Sequence, residues 1–256
     1  MVNRSSADRL RRQRNVILAS LLTLAAMSWV VVMRQAGMTG SASLTMGMTI
    51  PLFLVAWVAM MVAMMFPTAA PMIMMFATVS AGKKQRGQTF VPTWIFVVSY
   101  LLIWIAFGVL AYGVGVGVDA LSRESMWVAN NASRVGGILL LAAGLYQLSP
   151  LKNLCLAKCR SPLSFILTSW RDGHAGALWM GLKHGAYCFG CCWLLFAILF
   201  PLGIMNIAAM VALTLLIFAE KSLPIGTLIG RLAGTALIGY GVVVIFVPHA
   251  LPGMTM

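Results

Sequence analysis

Charge is scarce in this chain. Only 9% of its 256 residues are charged, and just five of them are acidic. With 61% hydrophobic residues and a mean hydropathy of +0.94, it has too few polar residues to solvate the surface of a soluble domain. Several chemistries are missing as well. There is no phosphate-binding glycine loop, no zinc-protease His-Glu-x-x-His, no transport-ATPase phosphorylation motif and no Ser/His/Asp candidate set. Any pumping would therefore need a partner or a gradient. A cleavable leader is not expected either. Arg11, Arg12 and Arg14 precede an apolar run from Val16 to Met33 that is long for a signal peptide and has no Ala-x-Ala site after it.

What remains is a set of long apolar runs separated by basic residues. In hydrocarbon a backbone must satisfy its own polar groups, which leaves helices or closed barrels, and these runs are too long and evenly apolar for barrel strands. The expected fold is an all-α polytopic membrane helix bundle of about seven transmembrane helices. They are expected near 16–33, 50–79, 91–117, 127–149, 183–200, 203–220 and 231–247, with a tight hairpin at Pro201-Leu202-Gly203. The longest polar connection runs from about Ser149 to Ala175. This divides the chain into a basic cytoplasmic tail (1–15), a transmembrane domain (16–247) and a periplasmic tail (248–256).

The net charge of +13 invites a nucleic-acid reading. The basic residues form no aromatic-interleaved patch, so nucleic acid is excluded as a partner. They mark topology instead. With the N-terminus in the cytoplasm, fifteen of the 18 Lys and Arg fall inside; only Arg34, Arg123 and Arg134 fall outside. The expected location is the bacterial inner membrane, with membrane lipid as a partner and some attraction to anionic headgroups.

All five cysteines fall in two groups that this topology brings to the same inner surface. Cys155 and Cys159 are four apart and share a helix face. Cys188, Cys191 and Cys192 form a stripe with His184, at spacings of three and four. Two thiol groups at one depth can supply four soft ligands. Such sets suit Zn(II) when tetrahedral and Cu(I) when low-coordinate. The inner side is reducing, so structural disulfides are not expected there. A lone thiol in a membrane helix is more often a packing residue.

The second soft-donor feature is in the second run. Met60 pairs with Met64 and Met61 with Met65, each four apart. Thioether sulfur binds Cu(I) rather than zinc, although methionine also fills irregular gaps between helices. Pro67 and Pro71 are each expected to kink or open this helix and bare carbonyls. Met38, Met46, Met48, His249, Met254 and Met256 add soft donors toward the outer side. Glu220 ends the sixth helix beside Lys221, and Arg231 or Lys183 is its expected ion-pair partner. Asn206 is expected to bond across helices. Asp119, Glu124 and Asp172 read as solvated loop charges, and His174 as a loop residue.

Four segments together resemble a known family. They are Ala59 to Pro67 with Pro71; Tyr146-Gln147 through Lys152, Cys155, Cys159 and Arg160; Gly181 to Gly185 with Cys188-Phe189-Gly190-Cys191-Cys192-Trp193; and Gly203-Ile204-Met205-Asn206 with Glu220-Lys221. Over about residues 45–245 they are similar to the bacterial "predicted metal-binding integral membrane protein" family, a domain of unknown function. The resemblance implies a multi-pass membrane protein that handles metal.

The reading that uses most of these features is a soft-metal protein, with Cu(I) moved or delivered and Zn(II) the other candidate ion. Cys155, Cys159, Cys188, Cys191 and Cys192 would be ligands with His184, and the four methionines transient contacts. The partners are the metal ion and a copper chaperone, a metalloenzyme or a membrane complex that exchanges it. Two alternatives stand beside it. One is a thiol–disulfide oxidoreductase using Cys188 and Cys191. The other is a non-catalytic membrane subunit whose cysteines only pack.

Overall fold

A segment buried in lipid pairs its backbone within itself, and this chain does so almost throughout. A computed structural model describes residues 4–38, 44–45, 47–88 and 90–251, with side chains from residue 11 onward apart from Met38. Among these residues there is no strand. The helices are α1 (Arg4–Met38), α2 (Ile50–Gln85), α3 (Thr93–Glu124), α4 (Met126–Leu148), α5 (Pro150–Arg160), α6 (Pro162–Ser169), α7 (Gly173–Ala197), α8 (Leu199–Leu202), α9 (Ile207–Ser222) and α10 (Gly226–Phe246), followed by a 3-10 turn, Pro248–Ala250.

Six segments are long and apolar enough to cross a membrane: Arg11–Gly37, α2, α3, α4, Gly173–Leu202 and α10. The seventh expected span, 203–220, is the shorter α9. Its 16 residues rise about 24 Å, less than the roughly 30 Å of a hydrocarbon core. It starts late because Gly203, at φ 94°, turns the chain and Asn206 then caps the helix. Asn206 Oδ1 accepts from the Ala209 N–H at 3.1 Å while its Nδ2 donates to the Leu202 carbonyl at 3.1 Å. Asn206 therefore closes its own hairpin, whereas the sequence predicts a bond between neighbouring spans.

Other expectations change too. The basic segment before residue 16 continues α1 as helix from Arg4. The connection from Ser149 to Ala175 is not a loop. Ser149 caps α5 by accepting from the Lys152 N–H, and prolines open both α5 and α6. α7 begins ten residues before the expected 183, which puts His174 in its exposed first turn. α10 begins at Gly226, so Arg231 lies inside it. Asp119 sits in α3, partly buried, and accepts from the Leu44 N–H at 3.2 Å. Met46, Met254 and Met256 lie outside the described residues.

α2 stays a single unbroken helix through Pro67 and Pro71, so the prolines do not open it. Proline at 67 removes the donor that residue 63 would bond. The Trp29 indole N–H of α1 fills the gap, donating to the Ala63 carbonyl at 3.1 Å. A neighbouring helix thus satisfies the freed carbonyl, as the hydrocarbon demands.

Glycines set how closely the spans approach. α4 and α10 run antiparallel with backbones in contact. A Cβ at Gly144 would stand 2.7 Å from the Gly234 carbonyl oxygen, and one at Gly241 would stand 2.8 Å from that of Gly137. α3 and α7 run parallel, with Gly181 against Ser99 and Gly185 against Ile103. The parallel pairing places Tyr100 of α3 beside the cysteines of α7.

Gly144→Leu should therefore separate α4 from α10 and destabilise the bundle by about 1–3 kcal/mol, as overpacking does. The thermal midpoint in detergent measures this. Gly239→Ala, whose added methyl meets nothing within 4 Å, should leave the midpoint unchanged.

Candidate metal centre

Cys188, Cys191 and Cys192 lie on the inward face of α7, each almost fully buried, with His184 one turn before them. All five cysteines are free thiols. α5 packs antiparallel along α7 and brings the other two thiols in. Gly190 leaves room for Cys155, whose Sγ stands 2.8 Å from where a Cβ at Gly190 would be. Tyr146 fixes the same point by donating its hydroxyl to the Gly190 carbonyl. One turn further along α5, Cys159 lies close enough to Cys188 and Cys191 to interact with them electrostatically.

Cys188 is the hub. Its Sγ lies 3.2 Å from the Tyr100 hydroxyl and receives a hydrogen bond from Lys221 Nζ at 3.1 Å. Cys191 Sγ donates to the Cys188 carbonyl at 3.1 Å and lies 3.1 Å from Cys192 Sγ. Among the described residues no three His, Cys, Asp or Glu side chains stand ready-made around a common centre for a metal ion. The sulfurs bond to each other, to Tyr100, to Lys221 and to a carbonyl, and so point in different directions. In α5, burial pushes the Cys155 thiol up, and the neighbouring Cys188 pushes Cys159 up.

His184 is sealed in an aromatic box. Phe96, Tyr100 and Phe165 have ring centroids 5.9, 5.6 and 5.6 Å from its own. Its Nδ1 is buried without a hydrogen-bond partner. Imidazole nitrogen and thiol sulfur are donors of the types that soft ions take, although here they stand apart rather than around one centre.

Glu220 is the second buried feature. Its partner is Lys152 of α5, at 2.6 Å with both side chains almost inaccessible, rather than the expected Arg231 or Lys183. Lys183 instead donates to Ser169 at 3.0 Å, and Arg231 is exposed. Gln147 of α4 also donates to the Glu220 carboxylate, and Gly230 of α10 leaves space for it. The arrangement ties α4, α5, α9 and α10 together just behind the thiols, while the next residue, Lys221, reaches forward to Cys188.

Asp172, expected as a free loop charge, takes Lys83 at 2.5 Å and the Trp170 indole at 2.9 Å. The Lys83 bond holds its carboxyl below the usual range. This joins the end of α2 to the start of α7.

Met60, Met61, Met64 and Met65 are fully buried and belong to the same continuous apolar cluster as Cys188, Cys191 and Cys192. Thr68 bonds the Met65 carbonyl at 2.9 Å. Their thioethers are not brought into the hydrogen-bonded group around Cys188.

Two residues of this centre are given no role by the sequence. Tyr100 belongs to a stripe of Phe96, Tyr100 and Trp104 at four-residue spacing, which marks the buried face of α3 but not its chemistry. Lys152 looks like one more inner-surface charge. Its spacing of four from the buried Leu156 is the signal that it faces inward.

Fold and site together describe an all-helical protein with membrane-length spans and a buried thiol cluster at its basic end. The chain belongs to the copper-chaperone family PpoB2, whose model matches residues 54–244. The matched stretch begins in α2 and ends in α10, so it includes every cysteine. No curated protein and no solved structure gives a match.

Removing one member of the buried pair strands a charge. Glu220→Ala should cost about 3–5 kcal/mol. The double variant Lys152→Met/Glu220→Ala should recover much of that, read as thermal midpoints in a double-mutant cycle. Strictly additive losses would show that the two side chains act independently.

Proposed function

We propose that this chain is a multi-pass carrier of the bacterial inner membrane that holds Cu(I) on its thiol cluster and moves it or hands it to a partner. The observation that carries this reading is the close packing of α5 on α7, which seats Cys155 against Gly190 and leaves Cys159 close enough to Cys188 and Cys191 to interact with them electrostatically. These sulfurs come from α5 and α7, elements with no other reason to share donors. Membership of a copper-chaperone family supports copper over zinc.

The ligands would be Cys159 and Cys188, with Cys191 and Cys192 close enough for exchange, Cys155 at the edge and His184 behind. Low-coordinate thiolates suit Cu(I), and neighbouring spare sulfurs let an ion step from one pair to the next without meeting water. Met60, Met61, Met64 and Met65 would offer neutral sulfur along α2, where a thioether costs no deprotonation. The basic end faces the cytoplasm in this reading, by the excess of Lys and Arg there. The receiving partner is a copper chaperone, a metalloenzyme or a membrane complex.

Purified protein should carry copper as Cu(I) at about one ion per chain. Cys159→Ser and Cys188→Ser should each reduce bound copper at least about tenfold while leaving the stability of the metal-free protein within about 1 kcal/mol of the parent. Metal analysis by mass spectrometry checks it. Retention of zinc instead of copper, or copper unaffected by either change, would contradict the reading.

A further inference from the structure

We infer that Lys221 is a specificity-determining residue that matches the thiol site to a monovalent soft cation in preference to a divalent one; this rests on the reading of the cluster as an ion site. Net charge inside hydrocarbon is costly, so a buried ion site is most stable when ligands, ion and neighbours sum to zero.

The charges around the cluster can be assigned, with Arg160, next to Cys159, turned away to the Leu223 carbonyl at 2.7 Å. Lys152 and Glu220 neutralise each other at 2.6 Å. Gln147, which also holds Glu220, is neutral. Lys221 is different, because its ammonium is turned toward sulfur, 3.1 Å from Cys188 Sγ. It follows Glu220 directly in α9, so the ion pair behind it anchors the backbone from which it reaches. A fixed positive charge in contact with a ligand atom acts on whatever ion that ligand holds.

The consequence depends on ion charge. Two thiols that take up a metal ion release both protons and carry two negative charges. A Cu(I) ion between Cys188 and a second thiolate, such as Cys159, leaves one negative charge, and Lys221 cancels it. A Zn(II) ion on the same two thiolates is already neutral, and Lys221 leaves it one positive charge in excess. The lysine therefore favours the monovalent ion and disfavours the divalent one at the same atoms. Packing alone gives no such opposition, since a damaged site weakens every ion.

The test uses the purified full chain in detergent, with Lys221→Met, which removes the charge at similar length, and Lys221→Arg, which keeps it. Affinities for Cu(I) and for Zn(II) are each measured by competition against a chromophoric chelator. Lys221→Met should lower Cu(I) affinity roughly tenfold or more and leave Zn(II) affinity unchanged or raised, while Lys221→Arg keeps the parent's preference. The inference is overturned if both affinities fall together in Lys221→Met, if neither moves, or if Lys221→Arg behaves like Lys221→Met. A parent protein that binds neither ion would instead overturn the reading of the cluster as an ion site, and this inference with it.

Discussion

A lysine and a glutamate that water scarcely touches hold the candidate centre together. Lys152 lies on α5, a helix too short to cross a membrane, and Glu220 lies on α9. Burying two charges is costly, and the cost is offset only by close geometry and further hydrogen bonds. Gln147 supplies one of those bonds. The pair clips α5 against the bundle, and α5 carries two of the five thiols. Beside that clip, α5 is held by Leu156, buried in the core, with Cys155 and Cys159 packed against the same cluster, while Leu151 and Leu154 face outward.

The rest of the architecture serves the same contact at longer range. Lipid tails are as apolar as leucine, so spans gain little from the hydrophobic effect when they pair with one another. Close backbone approach at glycine and hydrogen bonds to freed carbonyls take its place. The Gly144–Gly234 contact fixes α4, and with it Tyr146 and Gln147, which brace Gly190 and Glu220 respectively. The parallel packing of α3 on α7 gives Cys188 its phenol and His184 its aromatic box.

Much of this was legible in the residues. The length of the apolar runs defined the helical class and most spans, because about 20 residues are needed whatever their identity. The convergence of the two cysteine groups followed from charge, since Lys152, Lys158 and Lys183 mark one surface. Other features were hidden for physical reasons. Positive-inside reasoning counts charges on a surface and cannot see that Lys152 turns inward. Pro67 was expected to bare a carbonyl, but the Trp29 indole that satisfies it is 34 residues from its acceptor. The stretch from Ser149 to Ala175 looked like a loop because its helices are short and amphipathic. Ser149-Pro150 and Ser161-Pro162 were the start signals that hydropathy alone passes over. The partner of Glu220 could not be chosen from spacing, because the distance that matters is between helices.

X-ray absorption at the copper edge of the purified protein, loaded with Cu(I) and free of excess ion, reads the claim most directly. A shell of two or three sulfur atoms at a single distance, which disappears when Cys159 and Cys188 are both replaced by serine, is the result this account predicts. A first shell of oxygen or nitrogen, or a sulfur shell that survives the double replacement, would contradict a shared ion between α5 and α7.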